Sequence, residues 1–275
     1  MTDVVAFGEV LWDVIDGVPH IGGAPFNFAA HASRAGLSAA VVSCVGDDEL
    51  GRRALAEAAR LGVDASMVRV HPSLPTGTVN VTLENGIPSY EIVRPVAWDE
   101  ITGDIAEPPR ALCFGTLAAR SAVSAATLAR LVDACRGSLV FFDVNLRQRF
   151  WSKEAIESGL GSVDILKVND EEFETLGYSA DGLFARHPRL GIVVETMGEK
   201  GCRVYSRTAP AFESPSAPSG PAVDTVGAGD AFSAAFVASI LRGKSLRDAA
   251  EAGNRLAGWV ASRPGAIPDG LPPEI

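Results

Sequence analysis

Along the chain, short runs of apolar residues alternate with segments in which apolar residues recur every three or four positions. The apolar runs predict buried strands over residues 4–7, 40–45, 111–114, 139–142, 165–168 and 192–194. The recurring pattern predicts helices over residues 25–35, 50–61, 122–134, 171–176, 228–241 and 246–262. Such alternation is typical of an α/β fold with a mostly parallel sheet, helices on both faces and a ligand at the carboxyl ends of the strands.

One segment departs from this alternation. Apolar and polar residues alternate over residues 78–83 and again over residues 89–93, with Glu84-Asn85-Gly86-Ile87 between them. An Asn-Gly pair between two alternating runs is a strong hairpin signal. We therefore expect a hairpin that stands apart from the main sheet. Because no linker or repeat suggests a second independent domain, we expect a single domain over residues 1–275.

The composition narrows the classes of function. The 275 residues carry a formal net charge of −10, which disfavours nucleic acid as a ligand because its phosphates require a basic surface. The start of the chain has no basic-then-apolar signal pattern, and no apolar run reaches the length of a membrane span. The cysteines are scattered among mostly apolar neighbours and predict buried free thiols. We expect a cytoplasmic protein without nucleic-acid or membrane partners.

The most informative motif lies at the start of the helix predicted over residues 228–241. Gly227, Ala228 and Gly229, here called the anion turn, supply backbone N–H groups that have no partner inside the helix. Their small size lets an anion approach those groups, and the helix dipole favours negative charge there. Asp230 borders the turn and is suited to act as a base, which takes a proton from a hydroxyl as that hydroxyl attacks a phosphoryl group. Taken alone, the same residues fit a tight turn followed by a favourable first-turn charge equally well.

Two other phosphate-binding motifs are excluded. No Gly-x4-Gly-Lys-Ser/Thr sequence occurs in the chain, so it has no P-loop. Phe232 occupies the place of the third glycine in a dinucleotide fingerprint, which leaves that pattern incomplete. The anion turn therefore has to be interpreted from its own residues.

Two stretches of the chain resemble the signatures of one family. Residues 224–232 (DTVGAGDAF) resemble the C-terminal signature of the ribokinase-like (PfkB) sugar kinases, and residues 22–29 (GGAPFNFA) resemble their upstream signature. The resemblance extends from Val5 to Ala266. It implies a three-layer αβα fold with a mostly parallel central sheet and a small β lid from about residues 14–21 and 77–95. It also implies phosphorylation of a sugar by ATP with Mg²⁺, and it leaves K⁺ binding and a homodimer open.

The resemblance assigns several residues to the sugar. Asp13, which we expect at the end of the first strand, matches an acid that holds sugar hydroxyls. Gly22 and Gly23 let the backbone approach the sugar closely, and Asn27 faces inward from the following helix.

A further stretch, residues 142–147 (FDVNLR) with Trp151, resembles a segment of fructokinases, although Val144 stands where proline is usual. It assigns Arg147 to the sugar or to the transferred phosphate. Two residues near Asp13 and Asn27 in the sequence have simpler interpretations. Glu9 could be a site residue or an acid that faces water at the end of a strand, and His31 is interpreted as a packed helix residue.

The resemblance assigns a second set of residues to the nucleotide and its metal. Asn169 and Glu172 match an Asn-x-x-Glu motif near Mg²⁺, with water between; by spacing alone they predict a capping box, and the two interpretations are compatible. The other nucleotide residues are Gly227, Gly229, Thr196, Gly198 and Asn254. Asn254 fits a solvated helix residue equally well. K⁺, where present, would use carbonyl groups near Asp224, Val226 and Gly265.

Together these features predict an ATP-dependent sugar kinase most similar to fructokinase. Trp12-Asp13, the short gap to Gly22-Gly23, and Trp98-Asp99 favour fructose as the substrate. Ribose, 2-keto-3-deoxygluconate and nucleosides are the alternative substrates. A catalytically silent regulator that binds sugar or nucleotide is the alternative of another class, and the intact Asp230 disfavours it because such a protein needs no base.

Overall fold

The computed structural model describes residues 2–84 and 87–274 and has an α/β architecture. The strands are β1 (Val4–Phe7), β2 (Leu11–Ile15), β3 (Val18–Gly22), β4 (Ala39–Gly46), β5 (Val63–Asp64), β6 (Val68–His71), β7 (Gly77–Glu84), β8 (Ile87–Ile92), β9 (Ala111–Phe114), β10 (Leu139–Asp143), β11 (Ile165–Asn169), β12 (Ile192–Thr196), β13 (Cys202–Ser206) and β14 (Phe212–Ser214). The α-helices are α1 (Ala24–Arg34), α2 (Glu49–Arg60), α3 (Ala122–Ala134), α4 (Lys153–Leu160), α5 (Asp170–Leu176), α6 (Ala180–Arg186), α7 (Ala228–Leu241) and α8 (Leu246–Ala261).

The main sheet has the strand order β14-β13-β12-β11-β10-β9-β1-β4-β5, and β6 also pairs with β4. The pairs that join β5 to β12 along this order are parallel, whereas β13 and β14 are antiparallel to their neighbours. The chain places β4 on one side of β1 and β9 on the other, so the strand order reverses at β1. Carboxyl ends of strands at such a reversal form a crevice for ligands.

Side chains of β1 show how the layers are built. Val5 and Phe7 pack into the buried cluster that includes apolar residues of α3, α4 and α6. Val4 and Ala6 pack into the cluster that includes apolar residues of α1, α2 and α7. Because successive side chains of a strand point to opposite faces, the helices cover both faces of the sheet. The three-layer prediction is confirmed.

A second, smaller sheet has the order β3-β2-β7-β8. The β2–β3 and β7–β8 pairs are antiparallel hairpins, and β2 joins them by pairing in parallel with β7. The predicted hairpin strands are therefore confirmed, while its turn residues Asn85 and Gly86 lie outside the described residues. The prediction that Asp13 ends the first strand is wrong: β1 ends at Phe7, and Asp13 lies in β2 of the smaller sheet.

Several short elements were not predicted. Helices α4 and α6 span eight and seven residues and are capped at their amino ends by Ser152 and Ser179, whose hydroxyls accept backbone N–H groups of Ala155 and Gly182. Both helices are short and contain an internal glycine, Gly159 in α4 and Gly182 in α6, which weakens the helical pattern. Strands β13 and β14 were also not predicted; they have five and three residues, and each pairs antiparallel with the strand that precedes it.

The cysteine prediction is confirmed, since Cys44, Cys113, Cys135 and Cys202 are buried and free. Within residues 2–84 and 87–274, no helix is both long and apolar enough to cross a membrane.

Candidate active site

The anion turn lies at the amino end of α7, and its backbone requires glycine at the first position. Gly227 is the N-cap with φ of 77°, a left-handed conformation that favours glycine. A Cβ atom there would also lie 2.7 Å from the carbonyl oxygen of Ala266. The turn is therefore closely packed from behind. Within it, the N–H of Ala228 donates to the carbonyl oxygen of Thr225 at 3.2 Å.

Asp230 lies in the first turn of α7 and faces the upstream signature. Nδ2 of Asn27, on α1, donates to Oδ2 of Asp230 at 2.8 Å, across 203 residues of sequence. Burial, followed by the neighbouring charge of Asp143, raises the pKa of Asp230 to about 6. A carboxylate of this basicity, oriented by an amide, is suited to accept a proton near neutral pH.

A buried ion pair lies beneath the anion turn, and sequence reasoning missed it. Nζ of Lys167, in β11, donates to both carboxylate oxygens of Asp143, at the end of β10, at 2.9 and 3.0 Å. The hydroxyl of Ser233 in α7 donates to the same carboxylate at 3.0 Å. Burial acts to lower the pKa of Lys167, but the surrounding carboxylates outweigh it and raise that pKa, so the ammonium stays charged. The sequence contains one signal of this ion pair: Lys167 is the one charged residue within the predicted strand 165–168.

Lys167 also faces the middle of the anion turn. A Cβ atom added to Gly229 would lie 3.1 Å from Nζ of Lys167. The glycine therefore leaves the ammonium group open to the space beside the turn. An anion in that space would meet both backbone N–H groups and a fixed positive charge.

A cleft opens at the carboxyl ends of β9 and β10, against α1, close to the reversal in strand order. It is lined by Ala24, Pro25, Phe28, Cys113, Phe114, Gly115, Asp143, Asn145 and Asp230. The apolar side chains and the few convergent polar groups are typical of a small-molecule site.

The predicted sugar residues Gly23 and Asn27 lie next to this cleft: Gly23 precedes Ala24, and Asn27 donates to Asp230, two residues that line it. Gly23 has φ of 105°, and a Cβ atom there would lie 2.3 Å from the carbonyl oxygen of Glu9, so only glycine fits. Glu9 itself is buried, so a solvated strand end is the wrong interpretation of it. Its Oε1 accepts the N–H of Ala24 at 3.3 Å, and burial raises its pKa to about 7.

Asp13 and Gly22 face each other within the β2–β3 hairpin. A Cβ atom on Gly22 would lie 2.6 Å from Oδ2 of Asp13. The pKa of Asp13 is raised above its ordinary value, mainly by burial and in small part by the charge of Asp224, while the positive charges of Arg147 and His20 only partly offset this shift. Arg147 is exposed, and its charge also partly offsets the raised pKa values of Glu9 and Asp230. The smaller sheet therefore brings Asp13 to the same side of the molecule as Arg147 and the loop before α7.

The Asn169–Glu172 pair forms the predicted capping box. Oδ1 of Asn169 accepts the N–H of Glu172 at 2.7 Å, and Oε2 of Glu172 accepts the N–H of Asn169 at 2.9 Å. The other oxygen of Glu172 accepts the N–H of Leu146 at 2.7 Å. Both carboxylate oxygens are thus engaged by backbone donors, which leaves one lone pair on each for water. This arrangement suits a metal held through water and disfavours direct coordination.

The remaining predicted nucleotide residues are distributed over two regions. Thr196 ends β12 directly beside Asn169, and Gly198 follows with φ of 55° and open space around its α-carbon. Asn254 is elsewhere, buried on α8, where its amide donates to the carbonyl and hydroxyl oxygens of Ser214. The solvated interpretation of Asn254 is therefore wrong, and its contact with a nucleotide stays a prediction.

The predicted K⁺ position lies behind the anion turn. The carboxylate of Asp224 accepts the N–H groups of Val226 and Gly265 at 3.0 Å each, which holds the two predicted carbonyl-bearing segments together. Among the residues that the structure describes, no group of three or more His, Cys, Asp or Glu side chains is placed to hold a metal ion.

A comparison with known families and proteins places this geometry in context. Residues 1–273 match the model of the pfkB family carbohydrate kinases. The chain belongs to this family. The predicted resemblance is confirmed over almost the whole chain, and the anion turn with Asp230 is accordingly part of a carbohydrate kinase.

Two relatives illustrate the breadth of the family. The uncharacterized sugar kinase PH1459 of Pyrococcus horikoshii is 32% identical over 266 residues, which cover 88% of this chain and 84% of that one. Its structure in complex with ATP has a TM-score of 0.83 and 27% identity, covering 96% and 94% of the two chains. Fructokinase-1 of Oryza sativa subsp. japonica is 30% identical over 314 residues, covering 99% and 95%.

A fructokinase double mutant from Vibrio cholerae, solved with fructose, ADP and potassium bound, has the same fold. Its TM-score is 0.84 at 23% identity, and the match covers 97% of this chain and 94% of that one. The prediction of a ribokinase-like fold is therefore confirmed by solved structures of the family.

Replacing Glu172 by glutamine is expected to lower both stability and metal affinity. The amide group of glutamine can accept only one of the two backbone N–H groups, so the other loses its partner, at a cost of about 1–3 kcal/mol in unfolding free energy. The Mg²⁺ concentration for half-maximal kcat should rise several-fold as the carboxylate charge is lost. Denaturant unfolding without metal and Mg²⁺ titration of kcat measure the two effects separately.

The matched control is Glu171→Gln, an exposed acid of the same helical turn, which should leave the Mg²⁺ requirement unchanged and lower stability by about 0.3–1 kcal/mol at most. Loss of stability in Glu172→Gln with an unchanged Mg²⁺ requirement would exclude the metal role and leave only the capping box.

Proposed function

We propose that this carbohydrate kinase transfers the γ-phosphoryl group of ATP to a hydroxyl of fructose, with Asp230 accepting the hydroxyl proton. The observation that carries the proposal is the joining of both family signatures at one point, where Asn27 of α1 orients Asp230 beside the anion turn. One signature supplies the sugar side and the other supplies the base and the phosphate side.

The chemistry follows from the positions of three charged groups. The hydroxyl oxygen attacks the γ-phosphorus, its proton moves to the carboxylate of Asp230, and ADP leaves as the bond to the bridging oxygen breaks. The negative charge on the transferred group is met by N–H groups of the anion turn and by Lys167, which Asp143 and Ser233 hold in place. Because a sugar hydroxyl is a far weaker acid than a carboxyl group whose pKa is about 6, Asp230 cannot remove the proton in advance, and proton transfer accompanies bond formation.

The residues present fit a magnesium nucleotide. Asn169 and Glu172 would hold Mg²⁺ through water, because the oxygens of Glu172 already accept two backbone N–H groups. The ion would neutralise phosphate charge that Lys167 does not reach. Thr196 and Gly198, which follow from Asn169 along the same sheet edge, are the proposed nucleotide contacts, and Asn254 is a further one on α8.

A K⁺ ion is proposed behind the turn, at the carbonyl groups of Asp224, Val226 and Gly265. The carboxylate of Asp224 supports this site by holding the two segments together. The ion would act on the anion turn from the side opposite the substrates.

Fructose is proposed as the sugar because the residues that the family resemblance assigns to the sugar, together with Glu9, offer acceptors and donors for a neutral polyhydroxyl ring. Asp13 and Glu9 supply carboxyl groups, Asn27 an amide and Arg147 a guanidinium, and Gly22 and Gly23 allow the backbone to approach. The fructokinase of Oryza sativa and the fructose-bound structure of the Vibrio enzyme support this choice within the family.

We expect fructose to give the highest kcat/KM among neutral sugars in an assay of ADP release. Asp13→Ala should weaken fructose binding by about 2–5 kcal/mol, since it removes a charged acceptor from a partly buried site. Asp16→Asn, in the exposed turn of the same hairpin, should leave binding unchanged. A clear preference for ribose, 2-keto-3-deoxygluconate or a nucleoside would refute the choice of sugar and leave the kinase activity standing.

A further inference from the structure

His31 is a buried residue of α1 that the chemistry described above does not use. It lies one helical turn beyond Asn27 and has none of its surface exposed. Its Nε2 lies 2.9 Å from the carbonyl oxygen of Ala266, 235 residues away. Its Nδ1 is buried and has no hydrogen-bond partner. A buried polar ring with one unsatisfied nitrogen lowers the stability of the fold, so packing alone does not explain why the residue is histidine.

The protonation state follows from the surroundings. Burial lowers the pKa of His31 to about 4, so the ring is neutral and carries one proton. A carbonyl oxygen can only accept, so this proton is on Nε2, which donates to Ala266. The hydrogen bond to the carbonyl is thus the one polar contact that this tautomer makes among the described residues.

The carbonyl group held by His31 lies directly behind the anion turn. A Cβ atom on Gly227 would lie 2.7 Å from that oxygen and 2.6 Å from the Cβ of Ala266. The adjacent Gly265 is tied to the same turn through the carboxylate of Asp224. The segment of residues 265–266 therefore forms the support on which the turn rests, and His31 fixes its position from α1.

Helix α1 consequently reaches the catalytic turn at two points. Asn27 orients Asp230 by donating to its carboxylate, and His31 orients Ala266 behind Gly227. We propose that His31 is a positioning residue for phosphoryl transfer: through the carbonyl group of Ala266 it holds the anion turn at a fixed distance from the sugar-binding helix. It touches neither substrate. The proposal depends on the phosphoryl transfer common to the family and not on which sugar is accepted.

The test uses two amides that differ only in reach. The amide nitrogen of glutamine can occupy the place of imidazole Nε2, whereas that of asparagine reaches only the place of Nδ1. His31→Asn is expected to lower kcat by roughly 10- to 100-fold, because a small misplacement of reacting groups has effects of this size. His31→Gln should restore kcat to within about threefold of the unmodified enzyme. Sugar affinity measured without nucleotide should differ little between the two variants.

The comparison separates positioning from packing. Both substitutions disturb the same buried site, so a purely structural role predicts similar losses of thermal stability and equal kcat values per folded molecule. Equal kcat values in the two variants, whether both normal or both low, would overturn the proposal. Each rate is measured with the best sugar found in the ADP-release assay, so a wrong sugar assignment does not affect the outcome.

A second variant changes the residue on the other side of the same carbonyl group, and it keeps the proposal testable if His31→Asn does not fold. Gly227→Ala places a methyl group against Ala266 and should reproduce the loss of kcat with sugar affinity retained. A normal kcat in Gly227→Ala would show that the spacing between Ala266 and the turn is irrelevant, and would equally overturn the proposal.

Discussion

Replacing Asp230 by asparagine is expected to lower kcat by roughly 10²–10⁴ while leaving sugar affinity little changed. The substitution keeps the shape of the side chain, and the amide oxygen can still accept the hydrogen bond from Asn27. What it removes is the ability to take up the hydroxyl proton as the new P–O bond forms. Steady-state kinetics at saturating ATP and calorimetric titration with sugar measure the two quantities.

The control distinguishes a base from a favourable helix charge. Asp181 is an exposed acid in the first turn of α6, and Asp181→Asn should lower stability by about 0.3–1 kcal/mol at most, without affecting kcat. If Asp230→Asn behaves like this control, Asp230 is a first-turn charge and not the catalytic base.

The pH dependence of the rate provides an independent readout. The base must be ionised to act, and the pKa of Asp230 is raised to about 6, so kcat/KM should fall as the pH drops through that value. Asp230→Asn should lose this acidic limb. Persistence of the limb in the variant would assign it to another group, such as Glu9, whose pKa is raised to about 7.

Gly229→Val is expected to lower kcat by roughly 10²-fold or more while sugar binding persists. The first added carbon would lie 3.1 Å from Nζ of Lys167, and the methyl groups beyond it would fill the space between the ammonium and the N–H groups of the turn. Both groups that are proposed to stabilise the transferred phosphate would then be obstructed. Asp13, Gly23 and Asn27 would remain as they are, so the sugar site should survive.

A graded pair of variants and a distant control complete this test. Gly229→Ala adds one methyl group and should give an intermediate loss of kcat. Gly137→Val, at an exposed position with nothing within 4 Å of the added Cβ atom, should leave kcat unchanged. A near-normal kcat for Gly229→Val would place the phosphate elsewhere.

The elements that the sequence predicts well are those whose pattern is local and long. The helix over residues 228–241 has the predicted bounds, because small and apolar residues recur along its length and glycine begins it. The predicted strands of the main sheet are found for a similar reason: each is mostly apolar and is followed by a polar or glycine residue.

The residues that were missed depend on which elements become neighbours. Asp143, Lys167 and Ser233 come from β10, β11 and α7, and their interaction exists only because β10 pairs with β11 and α7 packs over both. A lysine in an apolar strand is a visible anomaly, but its partner cannot be deduced from spacing. The burial of Asn254 likewise depends on β14, a three-residue strand that no periodic pattern reveals.

The carboxylate of Glu172 has a consequence for redesign of sugar specificity. One side chain fixes both the start of α5, on the proposed nucleotide side, and the backbone at Leu146, next to Arg147 on the proposed sugar side. A segment around residues 145–151 grafted from a relative would therefore have to present its amide at position 146 in the same orientation. Grafts that shift this amide should alter nucleotide affinity along with sugar preference, so the two binding sites cannot be exchanged as independent modules.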